Sequence, residues 1–472
     1  MTDEYDLIVL GAGPVGENVA DRAVQGGLTA VIVESELVGG ECSYWACMPS
    51  KALLRSPQAL RAAQHVGGAA EAVTGDLDVR ATLDRRDSFT SHWKDDSQVA
   101  WLDSAGIDLV RGHGRLSGER QVTVAGSDGA ERVLTARHAV AISTGSDAAV
   151  PPIPGLREAN PWTSREATSA EEIPASLVVI GGGVVAAEMA TAYASLGATV
   201  TVLARGGLLG SVEPFAGELV AEGLRALGVD VRTGVATLSV VRDTDGVTVT
   251  TDGGEVRAAE ILVATGRTPR SRAIGLEVVG LEPGRSINTD DTLRVLGSDW
   301  LYAVGDVNGR VLLTHQGKYQ ARAAGDVIAA RARDEAVHDG PWGRHAATAD
   351  RAAVPQVVFS EPEVAAVGVT EAAARDAGHR VRAVDVEFSS VAGASLHADG
   401  YRGMARMVVD EDRQVLLGVT FVGPDVAELI HAATIAVAGE VPLSRLWHAV
   451  PSYPTMSEIW LRLLEAYGRG SA

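Results

Sequence analysis

Two cysteines stand with four residues between them in Gly39-Gly40-Glu41-Cys42-Ser43-Tyr44-Trp45-Ala46-Cys47-Met48-Pro49-Ser50-Lys51, and the 472-residue chain has no others. Thiols this scarce and this close point to a working pair that trades two electrons between dithiol and disulfide. On a regular helix residues five apart fall on different faces, so a bond between Cys42 and Cys47 requires the backbone to bend between them. Gly39-Gly40 before the pair and Pro49 after it suit an irregular start to a helix, which Ala52-Leu53-Leu54 and Leu60 predict from Ser50 onward. A thiolate near that helix start and near Lys51 would be stabilised electrostatically. The competing readings are a zinc half-site and two buried inert thiols; the first is poor because no histidine lies close to the pair.

Something must deliver electrons to such a pair, and the chain has two segments suited to bind the nucleotides that do so. Asp6-Leu-Ile-Val-Leu10 reads as a buried strand, Gly11-Ala-Gly-Pro-Val-Gly16 as a tight turn, Glu17 to about Gly26 as a helix, and Thr29-Ala-Val-Ile-Val33 as the next strand, ending in Glu34. Gly11, Gly13 and Gly16 have the spacing that lets a turn approach a pyrophosphate and a helix pack closely on a strand. Glu34 stands where a carboxylate would accept hydrogen bonds from a ribose diol. The pattern recurs in Ser176-Leu-Val-Val-Ile180, Gly181-Gly-Gly183-Val-Val-Ala186, a helix through Glu188 to about Leu196, and Ala198-Thr-Val-Thr-Val-Leu203. That second strand ends in Ala204-Arg205, not an acid. An arginine there accommodates a 2′-phosphate, which favours NADPH over NADH; the alternative is a solvated surface arginine.

Two dinucleotide units and a further α+β segment suit a chain of this length. Pro151, Pro152 and Pro154 mark the exit from the first unit, and Ala264-Thr-Gly-Arg-Thr-Pro269 the exit from the second. Trp300-Leu-Tyr-Ala-Val-Gly305-Asp306 predicts another strand and turn. From about Val354 the character changes: Val354–Phe359 and Ala405–Val409 read as strands, with helices from about Glu371 and Ala427. With 61 acidic against 41 basic residues and a net charge of −20, no broad basic stripe is available to a nucleic acid. The first residues are acidic and lead directly into a strand, unlike a secretory signal, and no run of ~18 apolar residues predicts a membrane span. The expected location is cytoplasmic, where a redox-active disulfide is more at home than a structural one.

Taken in order, Gly11–Gly16, Cys42–Lys51, Thr144-Gly145, Gly181–Glu188, Ala264-Thr265-Gly266, Gly305-Asp306 and Pro454-Thr455-Met456-Ser457-Glu458 are similar to the markers of one family. Over nearly its whole length the chain resembles the class I pyridine nucleotide–disulfide oxidoreductases, which include glutathione reductase, dihydrolipoamide dehydrogenase and mercuric reductase. The resemblance implies an α/β fold with two Rossmann-like dinucleotide-binding domains and a C-terminal α+β dimerisation domain. The expected boundaries are 1–150 with 271–349 for FAD, 151–270 for NAD(P)H, and 350–472 for the interface.

The resemblance also implies roles. FAD would lie on Gly11, Gly13, Gly16 and Glu34, with Gly114 at the adenine end, Thr144 and Gly145 nearby, and Asp306 at the ribityl chain or pyrophosphate. Lys51 would sit near the flavin and pair with Glu188. Gly181, Gly183, Ala186, Arg205 and Gly266 would receive the nicotinamide nucleotide, with NADH as the alternative to NADPH. Cys47 would face the flavin and Cys42 would attack the substrate. A homodimer is implied, each active site completed by the partner's C-terminal domain.

Departures from the family pattern leave the acceptor open. A histidine usually precedes the Pro-Thr motif, and here the residue is Tyr453, with Glu458 retained. Free tyrosine titrates near ~10, so it is a poor base at neutral pH. Its hydroxyl, hydrogen-bonded to Glu458, could position or donate a proton, or the ring could only fill space. Mercuric reductase resembles the chain at this tyrosine but relies on further cysteines that this sequence lacks. Glu41 replaces a usual threonine, and Tyr44 and Trp45 are larger than usual, so they either crowd the substrate side or pack into the core. The expectation is an FAD-dependent NAD(P)H oxidoreductase that passes electrons through Cys42–Cys47 to a small disulfide or other soft electrophile. Alternatives are a quinone or metal-ion reductase, a lipoamide dehydrogenase, and a non-enzymatic flavin redox sensor. No metal ligands are expected.

Overall fold

A computed structural model describes residues 3–469. The chain divides into two compact units. The first comprises the residues up to Pro49, Asp87–Ala149 and Arg267–Asp350; the second comprises Ser50–Arg86, Val150–Gly266 and the residues from Arg351 onward. Residues 50–86 thus count with the second unit, whereas the sequence reading placed them in 1–150.

The first unit is built on a seven-stranded sheet. Its spatial order is Ile107–Arg111, Ala30–Glu34, Glu4–Leu10, Glu131–Ile142, Gln121–Ala125, His113–Gly118, with Leu301–Ala303 also paired to Glu131–Ile142. The pairs on Glu4–Leu10 are parallel, and the two strands after Glu131–Ile142 in this order are antiparallel. Both faces of Glu4–Leu10 are buried, which is why it reads as a continuous apolar run. Leu7 and Val9 enter one hydrophobic cluster and Ile8 and Leu10 the other, as the two-residue repeat of a strand requires. The chain leaves this unit after the short strand Ser146–Ala148 and returns in Arg267–Pro269, and these two segments pair antiparallel.

The second unit repeats the parallel theme. Asp230–Thr233, Thr199–Ala204, Ser176–Ile180 and Glu260–Val263 form a four-stranded sheet in that order. Leu177 and Val179 face one cluster while Val178 and Ile180 face another. A three-stranded antiparallel sheet, Thr237–Asp243, Gly246–Thr251 and Gly254–Ala258, accompanies it. A five-stranded antiparallel sheet follows, in the order Pro355–Val358, Glu363–Gly368, Val415–Gly423, Met404–Asp410, Val381–Glu387. This is the α+β segment expected from about Val354. Among the described residues no helix is long and apolar enough to cross a membrane.

Candidate functional site

The first glycine turn has three positions with three different physical demands. Gly11 has φ +99°, and a Cβ there would lie 2.6 Å from the Ser143 carbonyl oxygen. A Cβ on Gly16 would lie 1.9 Å from the Gly11 carbonyl oxygen, so helix Pro14–Gln25 docks on the turn only with glycine there. Gly13 differs: nothing comes within 4 Å of its would-be Cβ. It is also the N-cap of that helix, with no side chain capping the first turn. Open space before a helix N-terminus suits a pyrophosphate. The Glu34 carboxylate accepts the Ala12 N–H at 2.7 Å and the Glu36 N–H at 2.7 Å, which holds it at the strand end beside the turn. Gly114 lies against the ends of the first two strands; a Cβ would meet Leu10 Cδ2 at 2.8 Å and Val33 Cγ1 at 2.9 Å.

The cysteine segment is tied to this turn. The Gly39 N–H donates to the Ala12 carbonyl at 2.7 Å, and a Cβ on Gly40 would lie 2.8 Å from Gly13 Cα. Both glycines have positive φ, +111° and +56°, which permits the sharp approach. A five-residue helix Gly40–Tyr44 carries Cys42 and stops at Trp45, whose N–H donates to Glu41 O at 2.8 Å. The next helix, Cys47–Gln64, begins at Cys47 itself, three residues earlier than the sequence pattern predicts. Pro49 is its third residue, where no intrahelical N–H is needed. The backbone therefore breaks at Trp45-Ala46, between the two half-buried cysteines. Cys47 Sγ lies 3.4 Å from Thr314 Oγ1, and Thr314 opens helix Thr314–Ala332.

Side chains expected to touch the segment resolve unequally. Tyr44 is buried, and its hydroxyl donates to the Val38 carbonyl at 3.1 Å. Burial pushes its phenol up to about 12. It packs into the first unit. Trp45 is half-buried, edge-on to Tyr44 at 5.7 Å between centroids. Glu41 pairs with Arg270 at 3.2 Å, which also pairs with Asp147 at 2.5 Å.

A second polar network surrounds Asp306. The Ser146 hydroxyl donates to Asp306 Oδ2 at 2.5 Å, and Arg267 Nε donates to Ser146 Oγ at 2.6 Å. Arg267 also grips the Ser146 carbonyl at 2.6 Å. The Thr144 hydroxyl donates to the Arg270 carbonyl at 2.7 Å, and Gly145 takes φ +74°. Thr314, Ser146 and Arg270 were not singled out by sequence. Arg267 was visible only as the residue after Gly266.

In the second unit Gly181 has φ +135°, and its would-be Cβ meets the Ala264 carbonyl oxygen at 2.1 Å. Gly183 again faces open space and caps helix Val184–Ser195 without a side-chain bond. Ala186 is fully buried, its Cβ accommodated where Gly16 could carry none. Arg205 is exposed just beyond strand Thr199–Ala204, and Gly266 has φ +131°. Lys51 Nζ and Glu188 Oε2 meet at 2.7 Å, and Glu188 Oε1 accepts the Phe359 N–H at 3.0 Å. The Lys51 ammonium also lies 5.1 Å from the Phe359 ring centroid.

Tyr453 and Glu458 are not brought together in this way. Tyr453 is 77% exposed, whereas Glu458 is buried and its Oε2 accepts the Gly393 N–H at 3.3 Å. The Tyr453–Glu458 bond considered from sequence is absent among the described residues; the five-residue interval leaves one side chain outside and the other inside.

These features coincide with known proteins. A sequence model described as pyridine nucleotide-disulphide oxidoreductase matches residues 5–322, and one described as the dimerisation domain of the same group matches residues 354–463. The chain belongs to this family. It is therefore an oxidoreductase of the flavoprotein type, with the expected α/β architecture and a C-terminal dimerisation domain. Mercuric reductase of Shigella flexneri is 34% identical over 462 residues, spanning 96% of this chain and 79% of the relative. Dihydrolipoyl dehydrogenase of Chlorobaculum tepidum is 32% identical over 468 residues, spanning 96% and 95%. In fold, the chain is similar to the HOCl-induced flavoprotein disulfide reductase RclA of Escherichia coli, solved as a Cu(II) complex. The TM-score is 0.84 at 23% identity, covering 98% of this chain and 99% of that one.

Proposed function

We propose that this oxidoreductase is a homodimeric, FAD-dependent enzyme that takes electrons from NADPH and passes them through Cys42 and Cys47 to a disulfide or another soft electrophile. The observation that carries this reading is the 2.7 Å bond from the Gly39 N–H to the Ala12 carbonyl, which ties the thiol segment to the first glycine turn. FAD, when bound, supplies a two-electron relay between nicotinamide and sulfur. Gly11, Gly13, Gly16, Glu34, Gly114, Thr144, Gly145 and Asp306 would hold it, and Lys51 with its partner Glu188 would serve near its reactive end. Gly181, Gly183, Ala186, Arg205 and Gly266 would hold NADPH, with Arg205 directed to the 2′-phosphate.

The thiols divide the labour by position. Cys47, at a helix start with the Thr314 hydroxyl at 3.4 Å, is the sulfur better stabilised as a thiolate. Cys42, on the separate short helix, is the exchange thiol. Its thiolate attacks one sulfur of a disulfide substrate, forming a mixed disulfide and releasing one substrate thiolate. Cys47 then attacks Cys42 Sγ, re-forming the Cys42–Cys47 bond and releasing the second. Two protons complete the products, and Tyr453 of a second copy is the proposed group near that event. The exposure of Val450 and Tyr453 at 83% and 77% is consistent with a surface that a second copy covers. A metal-ion or quinone acceptor is the second reading, favoured by Tyr453 in place of an imidazole and by the mercuric reductase relative.

Anaerobic thiol titration tests the proposal. The oxidised protein should yield two additional reactive thiols per chain after one equivalent of NADPH, more rapidly than with NADH. In Cys42→Ser, steady-state disulfide reduction should fall by about three orders of magnitude. No new thiols in wild type would defeat the dithiol reading. Retained quinone reduction in Cys42→Ser alongside absent disulfide reduction in wild type would favour the second reading.

A further inference from the structure

The second unit holds a groove of about 530 Å³, within the ~300–1,000 Å³ range of sites for small organic molecules. Every residue on its wall belongs to that unit. The far end of helix Cys47–Gln64, one face of helix Pro214–Ala226 and loops of the C-terminal segment meet there. Gln58 and Arg61 stand eleven and fourteen residues beyond Cys47, so the groove begins ~16–21 Å along the helix from that thiol, at ~1.5 Å per residue. Its walls are tied in place. A Cβ on Gly223 would lie 2.1 Å from the Glu361 carbonyl oxygen, so helix Pro214–Ala226 docks directly on the Glu361-Pro362 backbone. The Asp399 N–H donates to the His65 carbonyl at 2.7 Å, and the Tyr401 hydroxyl to the Pro424 carbonyl at 2.7 Å.

The lining has an apolar part and a lopsided charge. Ala62, Leu219, Leu227, Pro362 and Val422 supply the first. Among the described residues of the wall, five carboxyls stand against two guanidiniums. Arg61 is engaged by Glu361 at 2.9 Å, which leaves Arg402 against four acids. The histidines of the wall, His65 and His397, add charge only when protonated. Asp425 has His397 Nε2 at 2.8 Å, and its side chain is still 47% exposed. Glu222 is exposed and has no ion pair or side-chain hydrogen bond among the described residues. Glu363 is buried with neutral partners, the Gln58 amide at 2.7 Å and the Ala427 N–H at 3.2 Å. Burial pushes its carboxyl up to about 7 against those bonds, and Asp425 and Glu361 add to the rise. Burial also raises the Tyr401 phenol, and Asp425, Glu363 and Glu361 add to that shift. The groove thus combines an uncompensated negative field with apolar surface.

We infer that this groove binds a small organic ammonium ion with an apolar body, its cationic head held by the accessible carboxylates of Asp425 and Glu222 and its body lying on the apolar wall. An ammonium head offers donors to more than one carboxylate at once, in charge-assisted hydrogen bonds. A bare metal ion would leave the apolar wall unused, and no group of three or more metal-ligating side chains is assembled among the described residues. An anion would meet one guanidinium and four acids.

The test titrates the full-length, flavin-loaded protein with phenethylammonium at constant ionic strength, followed by calorimetry and by ligand-observed NMR, beside phenethyl alcohol and hydrocinnamate. One site per chain is expected, and the ammonium should bind at least about tenfold more tightly than the alcohol or the carboxylate. Asp425→Asn and Glu222→Gln should each weaken the ammonium at least about threefold and leave the alcohol unchanged. Asp425 has φ +54°, which asparagine tolerates, and Glu222 is exposed, so both variants should keep the wild-type thermal unfolding. Ala226→Trp, at an exposed position on the wall, should obstruct the groove and abolish binding. No saturable binding of the ammonium to wild type, unchanged affinity in both carboxylate variants, or binding undiminished in Ala226→Trp would overturn the inference. The alcohol binding as tightly as the ammonium would overturn the assignment to a cation. Displacement of the ammonium by an equal concentration of Mg²⁺ would overturn the assignment to an organic one.

Discussion

The two glycine turns share a plan and diverge at two places. At the third glycine position the first unit has Gly16, whose Cβ would collide with the Gly11 carbonyl, and the second has Ala186, whose Cβ is buried without conflict. Each following helix also buries a glutamate, and their situations are opposite. Glu188 has the Lys51 ammonium at 2.7 Å and the Phe359 N–H at 3.0 Å. Glu17 is 8% exposed, and its Oε1 has no hydrogen-bond partner among the described residues. Burial pushes the Glu17 carboxyl up to about 7; nearby Lys318 opposes the shift and Glu34 adds to it. The same strand–turn–helix thus tolerates a carboxylate beside the turn either by compensating its charge or by making the charge costly.

The most damaging way to break this comparison is to exchange the third positions. Gly16→Ala places a methyl 1.9 Å from a carbonyl oxygen, so it should cost about 3 kcal/mol or more and abolish flavin retention, whereas Ala186→Gly should cost about 1 kcal/mol. Urea unfolding and the flavin content of purified protein measure both. Equal costs would mean that the two turns do not differ as described.

Glu17→Gln should have the next largest effect, and its sign is favourable. The folded state holds this proton more tightly than the unfolded state, where a carboxyl titrates near 4.5. Stability from this group is therefore present below about pH 4.5 and lost as pH rises to about 7. Removing the charge should raise stability above pH 7 by on the order of 2–3 kcal/mol and flatten the falling limb between those values. Unfolding free energies measured from pH 5 to 8 check it; an unchanged slope would remove Glu17 from the comparison.

Lys51→Met tests the compensated glutamate. It leaves the Glu188 side chain, 4% exposed, without its cation. Breaking a fully buried pair costs about 3–5 kcal/mol, but the Lys51 side chain is 36% exposed, so about 2 kcal/mol is expected. The double variant with Glu188→Gln should recover most of that loss. A double variant no better than the single would show that lysine acts through packing on Phe359.

What could be read in the sequence follows from these contrasts. Gly11, Gly16 and Gly181 are legible because a backbone approach admits only one residue type, and the strands around them are legible because both faces bury apolar side chains. The break between Cys42 and Cys47 is legible only once the two thiols are read as a bonding pair, since residues five apart on a regular helix face different ways, and Gly39-Gly40 and Pro49 suit it. Side-chain networks are not. The Arg267–Ser146–Asp306 network joins residues more than a hundred positions apart, and no local pattern announces it. Tyr44 illustrates the same limit: its type permits either a wall of the site or a place in the core, and only the Val38 carbonyl within reach of its hydroxyl decides. Tyr453 and Glu458 belong to one motif, yet burial separates them.

The paired segments Ser146–Ala148 and Arg267–Pro269 have a consequence for how such a chain is assembled. Ala148 and Arg267 are register partners, so the point where the chain departs and the point where it returns lie one strand spacing apart, ~4.8 Å. To the first unit, everything between them is an insertion at the tip of a hairpin, and the entropy of closing so long a loop grows only with the logarithm of its length. A whole folded module can be spliced in, lengthened or exchanged there while the host sheet keeps its register.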